Sequence, residues 1–348
     1  MRPGARDRLG GAALALALAV VGCQRAPAPA PTDAAEASAG TQPKSAAAAA
    51  APALAYVPNQ RSGTISVIDT DKDVVLRTLS AQGQLGTRLQ QVLPGPNGHL
   101  YVIDAQGHRL LELDTAQDRI LRSVDIGENA EGIAASPGGD QFAVCVEGQN
   151  QVMLIDPASF AIGARIATQG QAPEHCVYSP DGALLLTSNE GSDDLDVIDL
   201  KAGKSVGVIA TSGHPRGMAF APDGNTAYVA QEGVGVVDVV DLVARRRVAS
   251  IPAGQRTAGI AIARDGSRVY ASNGGAGTVS VIDPAARSTL AEIPVGQRPW
   301  NPALTADGKK LYVANGRSNS VSVIDTATLK EIKQIAVGEL PWGVVIAQ

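Results

Sequence analysis

The sequence predicts an all-β fold, a β-propeller of seven blades that each contain four antiparallel strands. Three observations predict it. A unit of 42 residues repeats along the chain, each unit contains four short runs rich in Val, Ile, Thr and Tyr, and Gly and Pro together make up about 17% of the residues. Four strands per repeat of this length are typical of one propeller blade, and so much Gly and Pro argues against a helix-rich fold.

The first 22 residues have the parts of a bacterial secretory signal. Three Arg residues precede an apolar run at 9–21, which is shorter than the roughly 20 residues that a membrane-spanning helix needs. The run ends in Val20-Val21-Gly22-Cys23, which resembles the lipobox of bacterial lipoproteins. That resemblance implies that residues 1–22 are removed and that Cys23 becomes an acylated first residue. The alternative is an ordinary signal peptide with a chance cysteine.

Residues 23–54 are interpreted as a flexible tether between the lipid and the folded domain. They are rich in Ala, Pro, Ser and Thr and have no periodic apolar face. The residue after Cys23 is Gln24 rather than Asp. In the Gram-negative lipoproteins that this segment resembles, Asp at that position signals inner-membrane retention. We therefore expect the lipid to anchor the protein to the periplasmic side of the outer membrane. The protein is also expected to be a monomer.

The propeller is predicted to occupy residues 55–348. Four copies of the repeat align without gaps, and two earlier copies each contain a one-residue slip. The gapless copies span 173–214, 215–256, 257–298 and 299–340, and the earlier ones lie near 88–129 and 130–172. In the last copy Asp307-Gly308 separates the first two runs, and this dipeptide is a strong hairpin signal.

The two ends of the repeat region are complementary. The first copy begins at residue 55 without an opening strand, and the last eight residues, 341–348, form an opening strand without the rest of a blade. We predict that this C-terminal strand completes the first blade. The ring then closes as seven blades and leaves no open sheet edge at the seam.

The runs LYVAN at 311–315 and VSVID at 321–325, with this spacing, resemble the YVTN-repeat propellers of bacterial and archaeal envelopes (YncE-like proteins). The resemblance covers 55–348 and is closest at 215–340. The two earlier copies depart from it, with YVIDA and FAVCV at the YVTN position. It implies the propeller fold but no single activity, because propellers carry many unrelated functions.

The net charge argues against nucleic acid as a partner. The formal charge is −5, and it becomes −7 when residues 1–22, with three Arg and one Asp, are removed. Proteins that bind nucleic acid usually carry a basic surface instead. DNA binding, which is known among YncE-like proteins, is therefore kept only as a second alternative.

Candidate binding residues lie at the junctions between blades, which propellers place on one face over the central channel. The only two Trp residues occupy the same position of successive repeats, and three consecutive junctions contain an Arg. Arg recognises carboxylate or phosphate groups, and Trp offers a surface for stacking. We predict a site for an anionic or flat ligand at the channel mouth. Its predicted residues are Glu174, His175, His214, Arg216, Arg256, Arg298, Trp300 and Trp342.

A purely structural interpretation competes with this site. In it the Trp side chains pack between blades, as neighbours across a junction, and the Arg side chains pair with Glu131 and Glu174. His175 and His214 are candidate metal or haem ligands, but the four His residues show no metal-binding spacing. We therefore predict no bound metal and no cofactor.

Three further features have structural explanations. An Asp ends the third strand of every repeat, which predicts that its side chain accepts hydrogen bonds in the following turn. The acidic segment 192–196 could hold Ca²⁺, although it lacks an EF-hand pattern. Cys145 and Cys176 could form a disulfide in an oxidising compartment, but two buried thiols are the favoured interpretation, because disulfide geometry is narrow.

The first functional hypothesis is therefore a non-catalytic envelope lipoprotein. Its propeller would act as a binding or scaffold module for an anionic small molecule or a protein partner at the channel mouth. The alternative is a periplasmic enzyme or cofactor-carrying subunit, lactonase-like or linked to quinone or haem. The sequence contains no GxSxG nucleophile elbow and no persuasive Ser, His and Asp order. Only Glu174, His175 and His214 are candidates for chemistry in the channel.

Overall fold

A computed structural model describes residues 53–347 of the chain. These residues form 28 strands and three one-turn 3₁₀ helices, Ala81–Gly83, Pro96–Gly98 and Glu147–Gln149. The strands, in chain order, are β1 Leu54–Asn59, β2 Thr64–Asp69, β3 Val74–Leu79, β4 Leu89–Pro94, β5 His99–Asp104, β6 Arg109–Asp114, β7 Arg119–Asp125, β8 Ala130–Ala135, β9 Phe142–Val146, β10 Gln151–Asp156, β11 Ala161–Ala167, β12 Pro173–Tyr178, β13 Leu184–Asn189, β14 Asp194–Asp199, β15 Lys204–Ala210, β16 Pro215–Phe220, β17 Thr226–Gln231, β18 Val236–Asp241, β19 Arg246–Pro252, β20 Thr257–Ile262, β21 Val269–Asn273, β22 Thr278–Asp283, β23 Ser288–Pro294, β24 Pro299–Leu304, β25 Lys310–Asn315, β26 Ser320–Asp325, β27 Lys330–Ala336 and β28 Val345–Ile346.

The described strands pair into seven four-stranded antiparallel sheets, which are the blades. Blades 2 to 7 each contain four consecutive strands, from β4–β7 to β24–β27. The first strand of each blade is the inner one, and it contacts the inner strands of the two neighbouring blades, all the way round the ring. The predicted seven-bladed propeller is confirmed.

The C-terminal strand closes the ring as predicted. Blade 1 has the strand order β28-β1-β2-β3, with Ala55 opposite Ile346 and Tyr56 opposite Val345. Just before β28, the backbone N–H of Trp342 donates to Pro58 O at 3.0 Å. The last strand of the chain is therefore the inner strand of the first blade.

Burial follows the position of a strand within its blade. The second and third strands are buried on both faces, whereas the outer strand alternates between exposed and partly buried residues. Apolar side chains from each pair of neighbouring blades form one of seven clusters between them. The hydrophobic core is thus divided among the blade junctions, and the channel-facing edges of the inner strands remain to line the centre.

The Asp at the end of each third strand accepts the hydrogen bonds that were predicted for it. Asp283 Oδ1 accepts from the backbone N–H groups of Ala285 and Ala286, both at 2.9 Å. The same contact to the following turn is made by Asp69, Asp114, Asp156, Asp199, Asp241 and Asp325. In the acidic segment 192–196, Asp196 is fully buried and accepts from Gly170 N at 2.9 Å and Asn189 Nδ2 at 2.8 Å. Its carboxylate therefore serves the fold.

The predicted signal peptide (1–22), the predicted acylation site Cys23 and residues 24–52 of the tether lie outside the described residues. Across residues 53–347, no helix has the length and apolar content that would let it cross a membrane.

Candidate functional site

The loops between blades and the loops between second and third strands meet at one face, the channel mouth. The second residue of the inner strand lies there in blades 2 to 7, and Trp342, three residues before β28, has the same position in the repeat for blade 1. In ring order these residues are Gln90, Glu131, Glu174, Arg216, Ala258, Trp300 and Trp342. Six of the seven are polar or aromatic, so the repeat places polar and aromatic side chains around the entrance to the channel.

Arg216 is the centre of this group. Its Nη2 contacts Glu174 Oε1, and its Nη1 donates to Glu190 Oε1 at 3.1 Å and to Glu232 Oε2 at 2.8 Å. The Arg216 side chain is only 11% exposed and the Glu174 side chain 1%. One buried guanidinium therefore serves three carboxylates.

Glu232 in turn binds three arginines. Its Oε1 accepts from Arg256 Nε at 2.7 Å and from Arg298 Nη1 and Nη2 at 3.1 Å, while Oε2 accepts from Arg216. Arg216 and Arg298 are mostly buried, but the Arg256 side chain is 56% exposed. We call Glu174, Glu190, Arg216, Glu232, Arg256 and Arg298 the mouth cluster.

The backbone before each inner strand helps to place two of these arginines. Arg256 and Arg298 each precede an inner strand with a left-handed conformation, at φ 55°. Asn129, Ala172 and His214 have the same conformation at the equivalent points of other junctions. The conformation therefore belongs to the repeat, and it is the Arg side chains that distinguish these junctions.

Trp300 provides an aromatic surface for the cluster. The Cζ atoms of Arg298 and Arg216 lie 4.2 Å and 5.2 Å from the centroid of its ring. The ring position between Arg216 and Trp300 is occupied by Ala258, whose small side chain leaves room for this approach. Cation–π attraction of this kind is worth about 0.5–2 kcal/mol, depending on desolvation, and it orients both guanidinium groups.

Trp342 lies deeper than Trp300. It is 4% exposed, and its ring centroid is 5.5 Å from that of His175, which is also buried. Both residues line a cavity of about 350 Å³ that runs along the inner strands. Trp342 and His175 therefore face the channel interior, whereas Trp300 belongs to the mouth cluster.

His214 pairs with the carboxylate of Glu190 and is the more exposed of the two residues. Its Nε2 contacts Glu190 Oε1, and its side chain is 44% exposed. In the described residues one group of potential metal ligands occurs, formed by Glu190, His214 and Glu232, whose ligand atoms lie within 4.8 Å of one another. The Arg216 guanidinium already supplies positive charge to both carboxylates of this group.

Burial and charge shift the pKa values in the cluster in different directions. Burial, reinforced by the nearby carboxylates Glu131 and Glu190, raises the pKa of Glu174 well above its usual range, although Arg216 opposes this. Burial would also raise the pKa of Glu232, but three arginines hold it below the usual value. The cluster thus joins three arginines to three carboxyl groups, and burial disfavours the ionised form of one of these carboxyl groups, that of Glu174.

His175 is kept neutral. Burial, and then the positive charge of Arg216, lowers its pKa to about 3. Arg216 itself keeps its proton, because the attraction of Glu174 and the other carboxylates outweighs its burial and raises its pKa. A neutral imidazole thus lies next to a charged guanidinium at the top of the channel.

The sequence did not single out Glu190 and Glu232, which hold the arginines in place. Both follow directly after a second strand, and Glu147 has the same position in the preceding blade. The recurrence of Glu at this loop position in three consecutive repeats could have identified both residues from the sequence. The structural interpretation of the arginines is right for Arg216 with Glu174, whereas Glu131 pairs with Arg88 at 3.4 Å.

Comparison with known proteins identifies the family. The family model described as "Lactonase, 7-bladed beta-propeller" matches residues 146–342, more than half of the chain. The chain belongs to this family. Membership is compatible with the resemblance to YVTN-repeat propellers, since both are built from repeated four-stranded blades. A search of curated proteins gives no significant match.

Solved structures support the fold. The hydrazine synthase of Kuenenia stuttgartiensis superposes with a TM-score of 0.71 at 22% identity, over 78% of this chain and 92% of that one. A candidate 6-phosphogluconolactonase from Bacteroides uniformis gives 0.70 at 17% identity, over 85% and 100%. The dihydro-haem d1 dehydrogenase NirN gives 0.65 at 16%, over 84% and 74%. At these identities the likeness concerns the propeller fold alone.

Proposed function

We propose that this protein binds a small anionic ligand at the channel mouth, through the mouth cluster. The observation that carries the proposal is the convergence of Arg216, Arg256 and Arg298 on the single carboxylate of Glu232, beside Trp300. Arg256 is more than half exposed and lines an open depression with His214. Its guanidinium is therefore the group that an incoming carboxylate or phosphate would meet first.

Ligand titration tests the proposal. Phosphate, citrate, gluconate and a single-stranded oligonucleotide would be added while tryptophan emission is followed, and Trp300→Phe would show which signal belongs to the mouth. Changing both Arg256 and Arg298 to Ala should weaken binding at least tenfold, since one charge-assisted hydrogen bond contributes about 1.5–3 kcal/mol. Arg61→Ala, an exposed Arg on the same face, is the matched control. Unchanged affinity in the double variant would refute the site, and binding of the oligonucleotide alone would favour the DNA alternative.

Lactone hydrolysis is the second candidate function, favoured by the family and by the contact of His214 with Glu190. This pair could accept a proton from a water whose oxygen attacks the lactone carbonyl carbon. Arg256 would stabilise the oxyanion, the ring C–O bond would break, and the ring oxygen would take up the proton to give a hydroxy acid. Proteins of related fold have unrelated activities, so the contact between His214 and Glu190 supports lactone hydrolysis more strongly than family membership does.

A pH-stat assay with glucono-δ-lactone and δ-valerolactone tests this second function. Hydrolysis above the uncatalysed rate should fall about 100-fold in Glu190→Gln and in His214→Gln, the usual range for loss of a general base. His108→Gln, which changes an exposed His of the β5–β6 loop outside the mouth cluster, should leave the rate unchanged. If the unaltered protein binds anions but hydrolyses neither lactone, the lactonase function is refuted and the binding function stands.

For the location, we propose a lipoprotein on the periplasmic side of the outer membrane, anchored through Cys23. The support is the order of positive start, short apolar run and Val20-Val21-Gly22-Cys23. Radioactive palmitate should label the unaltered protein and not Cys23→Ser, and the label should fractionate with outer membranes. Equal labelling of both forms would overturn the anchor.

A further inference from the structure

Cys145 and Cys176 meet at the junction between blades 3 and 4. Cys145 lies on β9 and Cys176 on the inner strand β12, and both are buried as free thiols. The Sγ of Cys176 lies 3.4 Å from Ala143 O and 3.9 Å from Gly132 O, so it reaches across the junction onto blade 3. Ala143 and Cys145 are two residues apart on one strand and share a face. The Cys145 thiol is therefore beside that of Cys176, within one apolar cluster.

The backbones of the two blades approach closely at this point. A side chain at Gly132 would bring its Cβ to 2.7 Å from Glu174 O and 2.9 Å from His175 Cα. Only glycine permits that approach. The inner strands of blades 3 and 4 are thus held together next to the cysteines, which favours the short distance between Cα atoms that a disulfide needs.

The repeat itself shows that these two positions meet. Cys145 is the next-to-last residue of its second strand, and Cys176 is the fourth residue of its inner strand. The equivalent pair is Ile103 with Ile133 one junction earlier, and Ala314 with Val344 at the last junction, and each pair shares one apolar cluster. Cysteine therefore replaces both partners of a recurring contact, at the same junction.

We propose that Cys145 and Cys176 form a disulfide that links blade 3 to blade 4 when the protein meets a disulfide oxidant. Cys176 lines the channel cavity, so its thiolate is the one that attacks the oxidant's S–S bond. The Cys145 thiolate then attacks Cys176 Sγ in the mixed disulfide. The two cysteines lose two protons and two electrons, and the oxidant leaves as two thiols.

The interaction of the two thiols agrees with this order of events. Burial and then the neighbouring Cys176 raise the pKa of the Cys145 thiol. A thiol with a raised pKa is a poor first attacker, but it reacts once its partner sulfur has become electrophilic. The closed disulfide would join residues that are 31 positions apart and restrict the unfolded chain.

Thiol counting tests the proposal on the full chain with Cys23→Ser. The protein would be refolded from urea with oxidised glutathione, unfolded again and alkylated, and the folded protein would be treated in parallel with diamide. We expect no alkylation at either cysteine, a linked peptide pair in the digest, and a higher melting temperature that dithiothreitol reverses.

Cys145→Ser is the matched control, because Ser188 and Ser272 occupy the equivalent position in two other blades. In this variant Cys176 should remain alkylatable or carry a glutathione adduct, and oxidation should not raise the melting temperature. Quantitative alkylation of both cysteines after both treatments, or separate glutathione adducts on each, would overturn the disulfide.

Discussion

The guanidinium carbon of Arg298 lies 4.2 Å from the centroid of the Trp300 ring. The same guanidinium donates twice to Glu232 Oε1, so it is held by an aromatic ring and a carboxylate at once. Glu232 therefore competes with the anionic ligand proposed above for the same arginines. A protein whose arginines are satisfied by an internal carboxylate stays stable without its ligand, and removal of that carboxylate should reveal the affinity of the arginines for anions.

Glu232→Gln should destabilise the protein and make it dependent on anions. The side chain of Glu232 is 4% exposed, and loss of its charge leaves the buried Arg216 and Arg298 less compensated. Breaking a buried ion pair costs about 3–5 kcal/mol. Added sulfate should restore part of the loss by binding only the native state. Urea unfolding with and without sulfate measures this.

Glu339→Gln provides the control for that experiment, because Glu339 is an exposed residue of a junction loop. Sulfate should affect it no more than the unaltered protein. Equal stabilisation of all three forms by sulfate would mean that the arginines have no special affinity for an external anion.

Trp342→Ala should destabilise the propeller far more than Trp300→Ala. Trp342 is buried against His175, and the backbone around it joins the C-terminal strand to blade 1. Truncation of a buried Trp costs about 3–5 kcal/mol, whereas Trp300 is partly exposed and should lose mainly its contacts with arginine. Equal free energies of unfolding for the two variants would contradict the different depths of the two rings.

The repeat explains why the fold was predictable. Within 42 residues, strand-forming runs, a hairpin dipeptide and a third strand ending in Asp recur, and each is confirmed as a local element of the blade. The closing strand was predictable for the same reason, since residues 341–348 match the opening strand of the repeat.

The site was harder to predict because its contacts join residues from different repeats. Arg298 and Glu232 are 66 positions apart, and no local pattern links them. The relative depth of Trp300 and Trp342 was hidden as well, because both have the same position in the repeat. What separates them is the neighbour across the channel, which is His175 for Trp342.

The free energy of unfolding of Glu174→Gln, measured by urea unfolding, should increase relative to that of the unaltered protein as the pH rises. The native pKa of Glu174 is raised by burial, so the native state binds more protons than the unfolded state above the usual pKa of the carboxyl group. The stability contributed by that proton is present at low pH and is lost as the pH rises through the native pKa. Gln cannot ionise, so the free-energy difference between the two forms should grow from pH 5 to pH 9. A difference that does not change with pH would contradict the raised pKa.

The buried His175 should make the free energy of unfolding fall as the pH falls below 7. Its native pKa is about 3, below the value of about 6.5 for an unfolded His, because burial and Arg216 disfavour the imidazolium. Between these two values the unfolded state binds the extra proton, so stability falls as the pH falls through this window. From pH 7 to pH 5 the loss should be about 2 kcal/mol, and it should be absent in His175→Gln. Urea unfolding at a series of pH values measures both forms. If the free energy of unfolding of His175→Gln fell with pH as steeply as that of the unaltered protein, His175 would not be held neutral in the channel.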